Sequence, residues 1–182
     1  MGNGDGGAEE LILVDDHDNE VGFADRDQCH RGAGLRHRAF VLLIENGRDE
    51  ILLQWRRSRK LGGGRWDVSA TSHVRRGETY EAAIARCVRH ELGIDERVAW
   101  RRVGSYVYTE RLGDWSENEF CWLFAGCYSG VMVPNYDELD ELKWVRRADL
   151  SFEIRADAAR YTAWLKEAVT QLAIHNPSCP NR

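Results

Sequence analysis

Apolar and polar positions alternate along six short stretches of the chain, and this two-residue period predicts strands at Glu10–Val14, Phe40–Glu45, Ile51–Trp55, Val103–Thr109, Glu119–Cys127 and Glu141–Val145. Asn46-Gly47 marks a turn between the second and third of them. The period changes in "GETYEAAIARCVRHELGI", where Ala82, Ala83, Ile84, Cys87, Val88 and Leu92 recur at helical spacing and Gly93 stands where a C-terminal cap belongs. A helix over Thr79–Leu92 follows. A second helix is expected over Ala156–Ile174, beyond which Pro177 and Pro180 forbid continuation. Strands and helices are mixed without an internal repeat, so the class is α+β.

Length and composition limit the organisation. With 182 residues and 43% hydrophobic content the chain supports one core, giving a single domain over 10–175 between a flexible leader, 1–9, and a flexible tail, 176–182. No run of about 18 apolar residues occurs, and the acidic, Gly-rich start "MGNGDGGAEE" is unlike a secretory signal. The expectation is a cytoplasmic protein without membrane insertion. Five scattered cysteines form no CxxC pair, which favours reduced thiols over a disulfide framework or a zinc knuckle. A net charge of −5 speaks against a nucleic-acid partner bound through a broad basic surface. It leaves room for a local basic pocket, and "QWRRSRK" gathers Arg56, Arg57, Arg59 and Lys60 in one segment, which reads either as a solvated turn or as an anchor for a phosphorylated metabolite.

The stretch from Trp66 to Ile94, "WDVSATSHVRRGETYEAAIARCVRHELGI", resembles the Nudix box, GX5EX7REUXEEXGU. Glu78, Arg86, Glu91, Gly93 and Ile94 match it, Ser72 replaces its first Gly, and Cys87 and His90 replace two of its Glu positions. The resemblance implies a Nudix fold, a mixed β-sheet sandwiched between helices. In Nudix hydrolases the helix carboxylates hold Mg²⁺ against a diphosphate, because a hard cation needs oxygen ligands. Here only Glu91 remains of the three.

Over most of its length the chain looks like the type I isopentenyl-diphosphate isomerases, a Nudix-fold branch that does not hydrolyse. Their metal set of three His and two Glu matches His30 and His37 in "CHRGAGLRH", His73 in "ATSHV", and Glu117 with Glu119 in "ENEFCWLF". Glu117 and Glu119, two apart on a strand, share a face. Such a donor set suits a borderline divalent ion, Zn²⁺ or Mn²⁺. By the same resemblance Glu91 takes a Mg²⁺ that also touches the substrate diphosphate, and Arg26 stands for a phosphate-binding Lys. Arg56, Arg59, Lys60 and Arg86 are further expected diphosphate contacts. Tyr108 matches an active-site Tyr, and Trp164, in "YTAW", either matches an aromatic over the allylic group, where an indole face steadies a cation, or packs into the core from the last helix.

One match fails. The family's catalytic Cys, two residues before the third His, is Thr71 here, and a hydroxyl is neither acid nor base near neutrality. Cys121 and Cys87 are not expected to replace it. The resemblance therefore implies alkene protonation by Glu119 and Tyr108 on a small-molecule prenyl diphosphate, ending in isomerisation or in cyclisation or hydration of the cation. Two other classes stay open. A Nudix hydrolase of a nucleoside diphosphate or related pyrophosphate is suggested by "WDVSATSH", similar to "WDVSAAGH" of isomerase-like hydrolases. A metal-binding module without turnover is the third. The pattern says nothing of oligomeric state.

Overall fold

The computed structural model describes residues 9–175, so the expected tail and all of the expected leader but Glu9 lie outside the described residues. The chain runs β1 (Glu10–Val14), β2 (Glu20–Asp25), α1 (Arg26–His30), β3 (His37–Glu45), β4 (Glu50–Arg56), β5 (Trp66–Asp67) and β6 (Ala70–His73). It continues through α2 (Tyr80–Leu92), β7 (Trp100–Leu112), β8 (Trp115–Cys127), β9 (Leu139–Arg146), α3 (Arg147–Ala156) and α4 (Ala163–His175), with a 3₁₀ turn at Ala158–Arg160.

The strands form one mixed, branching sheet around β3, which pairs in parallel with β8 from His37↔Glu119 to Glu45↔Cys127 and antiparallel with β6 from Ala39↔His73 to Leu42↔Ala70. A strand covered on both sides must be apolar on both sides, and "AFVLLI" is. Ala39, Val41 and Leu43 face a core closed by Leu150 of α3 and by Trp164, Leu165, Ala168 and Leu172 of α4. Phe40, Leu42 and Ile44 face a second core closed by Ala83, Ile84, Cys87, Val88 and Leu92 of α2. The sheet is thus sandwiched between helices, as expected.

All six expected strands form, most of them longer than the alternation indicated. The α2 helix starts at its cap, where the Thr79 hydroxyl accepts a hydrogen bond from Ala82 N at 3.3 Å, and stops at Gly93, which is left-handed at φ 62°. The expected helix over Ala156–Ile174 is instead the 3₁₀ turn Ala158–Arg160 followed by α4, and the break between them has a cause. Tyr161 bridges to Trp66, Thr162 N donates to Trp66 O at 3.0 Å, and the Thr162 hydroxyl donates to Asp67 at 3.0 Å, so these residues bond to β5 rather than to a helix. Cys29, Cys87 and Cys121 are buried free thiols. Cys127 is disulfide-bonded, which corrects the expectation of reduced thiols there. Among the described residues no helix is long and apolar enough to cross a membrane.

Replacing Gly93 with Ala tests the α2 stop. A Cβ there would lie 2.6 Å from the Val133 carbonyl oxygen in a left-handed backbone. The expected loss is about 1–3 kcal/mol in urea denaturation, and an unchanged midpoint would contradict the strain.

Candidate active site and metal centre

Four separate elements carry the expected ligands to one place. His30 ends α1, His37 begins β3, His73 ends β6, and Glu117 and Glu119 lie on β8. The register sets His37 opposite Glu119 and His73 opposite Ala39, two residues further along β3 on the same face. The loop between His30 and His37 is tied to β8: Ser116 Oγ donates to Gly32 O at 2.6 Å and Asn118 Nδ2 to Gly34 O at 3.2 Å. Gly34 is required there, since its φ is +71° and a Cβ would sit 2.9 Å from Cys29 O.

The three imidazole rings form a near-equilateral triangle, with centroids 4.7, 4.8 and 4.9 Å apart. One ligand atom from each of the five residues lies within 4.8 Å of all the others. His30 Nδ1 is 2.6 Å from Arg26 O and His37 Nδ1 is 2.8 Å from Leu35 O. A carbonyl only accepts, so both Nδ1 atoms carry the proton and both Nε2 atoms present lone pairs inward, the arrangement that orients metal-binding imidazoles. His30 Nε2 then faces Glu117 Oε2 at 3.1 Å. Neither atom, nor His37 Nε2, has a hydrogen bond although all are buried. Lone pairs converging in a dry place need a cation, and N and O donors fit a divalent metal. Burial pushes the His73 imidazole down to about 4, which keeps it neutral for coordination. At His30 burial works the same way but the adjacent Glu117 outweighs it and raises the pKa, so protons compete with metal at that ligand.

Similarity to known proteins agrees with this geometry. A family model described as the NUDIX domain matches residues 35–165. The isopentenyl-diphosphate Delta-isomerase 2 of Aromatoleum aromaticum is 35% identical over 159 residues, covering 86% of this chain and 82% of that protein. The protein of the same name from Photorhabdus laumondii is 34% identical over 167 residues, covering 91% and 93%. The chain belongs to the isopentenyl-diphosphate isomerase-like branch of the Nudix family. A Deinococcus radiodurans crystal structure shares the fold of this isomerase-like chain with a TM-score of 0.73, at 24% identity over 90% of this chain and 98% of that one.

The other expected site residues divide into groups. Tyr108 Oη donates to Glu119 Oε2 at 2.6 Å, and burial, with Glu119 beside it, pushes the phenol well above its ordinary range. Burial would raise Glu119 as well, yet the imidazoles of His37 and His73 beside it hold it well below the usual carboxylate range. The Thr71 hydroxyl donates to Phe40 O at 3.0 Å. Arg26, Arg59 and Lys60 line a cavity of about 790 Å³ with His30 and Trp115. Arg59 donates to Asp137 O at 2.6 Å, and the Lys60 ammonium lies 3.2 Å from Glu91 and 2.5 Å from Glu138.

Arg56, Arg86, Trp164 and Glu91 lie off that cavity wall. Arg56 is buried against Asp67 at 3.3 Å, with its guanidinium 5.4 Å from the Trp164 ring centroid. Trp164 is only 2% exposed and donates Nε1 to Asp67 at 2.5 Å, so the cation that faces its indole is Arg56. Arg86 grips Glu78 at 2.7 and 2.9 Å and donates to His73 O at 3.0 Å, which steadies a ligand strand. Glu91 stands outside the five-residue cluster and accepts from Gln54 and Lys60. Sequence reasoning passed over Arg65, which lines the cavity, and Glu110, which it contacts at 2.8 Å. Strand alternation from Tyr108 would have put Glu110 on the site face.

Metal analysis after dialysis against Mn²⁺ or Zn²⁺ tests the centre. His73→Ala is expected to weaken binding by at least about tenfold, since even outer-shell changes cost that much. Equal occupancy in variant and wild type would remove the site.

Proposed function

We propose that this chain is an isomerase-type enzyme that protonates the alkene of a prenyl diphosphate. The observation that carries the reading is the 2.6 Å hydrogen bond from Tyr108 to Glu119, a carboxylate whose other oxygen faces His37 and His73. A divalent ion held by the five clustered residues would supply fixed positive charge beside Glu119, and Mg²⁺ would neutralise the diphosphate. The proton shared by Tyr108 Oη and Glu119 Oε2 passes to the terminal alkene carbon. The π pair becomes the new C–H bond and a tertiary cation remains.

Ordinary isomerisation then needs a base on the opposite face. Thr71 is a poor one: its hydroxyl is not basic near neutrality and already donates to Phe40 O. The cation is therefore expected to persist and to be captured by ring closure or by water. The diphosphate end is assigned to Arg26, Arg59 and Lys60, cations gathered on one cavity. Hydrolysis is disfavoured because the α2 helix has Cys87, buried, and His90 where a Nudix hydrolase needs carboxylates.

Incubation with isopentenyl, dimethylallyl and longer prenyl diphosphates in D₂O with Mg²⁺, followed by mass spectrometry and phosphate assay, is the test. Carbon-bound deuterium in a product that keeps its diphosphate is expected, and Tyr108→Phe should lower its rate by about 10²–10⁴-fold. Stoichiometric monophosphate release without deuterium in carbon would transfer the protein to the hydrolases. Charge-neutral variants of Arg26 and Lys60 should raise the KM; an unaltered KM would remove them from the diphosphate site.

A further inference from the structure

Ring closure, one of the two fates proposed for the cation, has a requirement that five-carbon substrates do not meet. Protonating the one alkene of such a molecule leaves no second π bond, so closure needs a chain of at least two isoprene units. One wall of the cavity fits that need. The ladder between β7 and β8 pairs Tyr108 with Glu119 and, four residues further along β7, Leu112 with Trp115. Residues an even number of positions apart on a strand share a face, and paired residues share it too. Leu112 and Trp115 therefore continue the face of the proton-transfer pair out to the hairpin tip.

Both side chains line the cavity of about 790 Å³ that Arg26, Arg59 and Lys60 also line, and Leu61 joins them there. None of these apolar side chains belongs to the core: Trp115 is 36% exposed, and Leu112 and Leu61 are half-buried. The tip is nevertheless fixed. Gly32 N donates to Asp114 O at 2.9 Å, and the Arg31 guanidinium lies 5.3 Å from the Trp115 ring centroid. An apolar wall held in place beside a few convergent cations suits a ligand with a charged head and a hydrocarbon tail.

Length leads to the same class of ligand. Four residues of strand span about 13 Å, and an isoprene unit, four bonds of about 1.5 Å each, extends roughly 5 Å. A five-carbon chain with its alkene at Tyr108 and Glu119 stops short of Leu112 and Trp115, whereas two or three units cover the interval. We propose that Leu112 and Trp115, with Leu61, form the wall that receives the hydrocarbon chain, and that the substrate class of this site is a prenyl diphosphate of two or three isoprene units. The proton from the Tyr108–Glu119 pair forms the new C–H bond at the distal alkene. The π pair of the next alkene then closes a C–C bond onto the tertiary cation, and a proton is lost to water, which reprotonates the pair. The product is an isomer of the substrate that keeps its diphosphate.

The inference rests on the reading of the cavity as a diphosphate site, and the test separates the two. Binding of inorganic pyrophosphate and of dimethylallyl, geranyl and farnesyl thiolodiphosphates, whose bridging sulfur hinders loss of the head group, is measured by calorimetry on the full chain with Mg²⁺. Affinity is expected to rise by at least about tenfold from dimethylallyl to geranyl, since each buried CH₂ favours binding by about fourfold. Trp115→Ala and Leu112→Ser should each lower the ratio of geranyl to dimethylallyl affinity by about fivefold or more. Trp115→Leu, which keeps the wall apolar, should retain most of that ratio, so that loss of the wall is not confused with loss of the fold. Equal affinity for all the prenyl compounds in wild type overturns the proposal, as does a ratio unaltered in both Trp115→Ala and Leu112→Ser. A chain-length preference without any binding of pyrophosphate would uphold the wall and sink the diphosphate reading. Pyrophosphate binding without a chain-length preference would do the reverse.

Discussion

The parallel pairing of β3 with β8 is the constraint on which both core and site depend. It runs over nine residue pairs, from His37↔Glu119 to Glu45↔Cys127. One end of this ladder places a histidine beside a carboxylate, and its middle, from Ala39↔Cys121 to Leu43↔Ala125, places apolar residues beside apolar residues on both faces. A slip of one residue would exchange the faces of an entire strand. Glu119 would then point into the α2 core and His37 would lose its partner. The His/Glu cluster is therefore not an addition to the fold. Its geometry is the polar end of the same register that packs Val41 and Leu43 on one side and Phe40 and Leu42 on the other.

Burial then determines what each polar group can do. His30, His37, Glu117 and Glu119 are all at most 5% exposed, and desolvated groups of this kind persist only when paired or coordinated. The backbone carbonyls of Arg26 and Leu35 fix the imidazole tautomers, so the protein prepares lone pairs rather than protons at the centre. Around it the chain has replaced catalytic options with structural bonds. Thr71 is tied to a strand carbonyl, Arg86 holds Glu78 and the His73 backbone, and Arg56 with Asp67 locks the Trp164 indole. Tyr108 stays bonded to Glu119, and Arg26, Arg59, Lys60 and Arg65 stay on the wall of the cavity that reaches His30.

The eroded Nudix helix has a matching physical account. Cys87 lies in the core under β3, where a carboxylate would have to be buried, and Glu91 is neutralised by Lys60 and Gln54. The helix serves here mainly as a packed layer whose cap residues, Thr79 and Gly93, fix its ends. On the β7–β8 hairpin, by contrast, Glu110, Glu117 and Glu119 share one face.

Local sequence determined much of this. Alternation is a property of each strand by itself, so all six expected strands and the Thr79–Leu92 helix were legible, and the spacing of His30, His37, His73, Glu117 and Glu119 carried the family resemblance. Short elements were not legible. The five-residue α1 and the two-residue β5 contain too few positions for a period to register, and they form because Asp25 caps one and β4 pairs with the other. The helix break at Tyr161 and Thr162 was also hidden, since its cause, bonding to Trp66 and Asp67, lies about a hundred residues away in the chain. The same distance explains the roles that changed. Arg56 and Trp164 each carry a group suited to substrate, and only tertiary packing, by setting both around a buried Asp67, commits them to one another. Residue type fixes what a side chain can do; which partner reaches it first is decided by the fold.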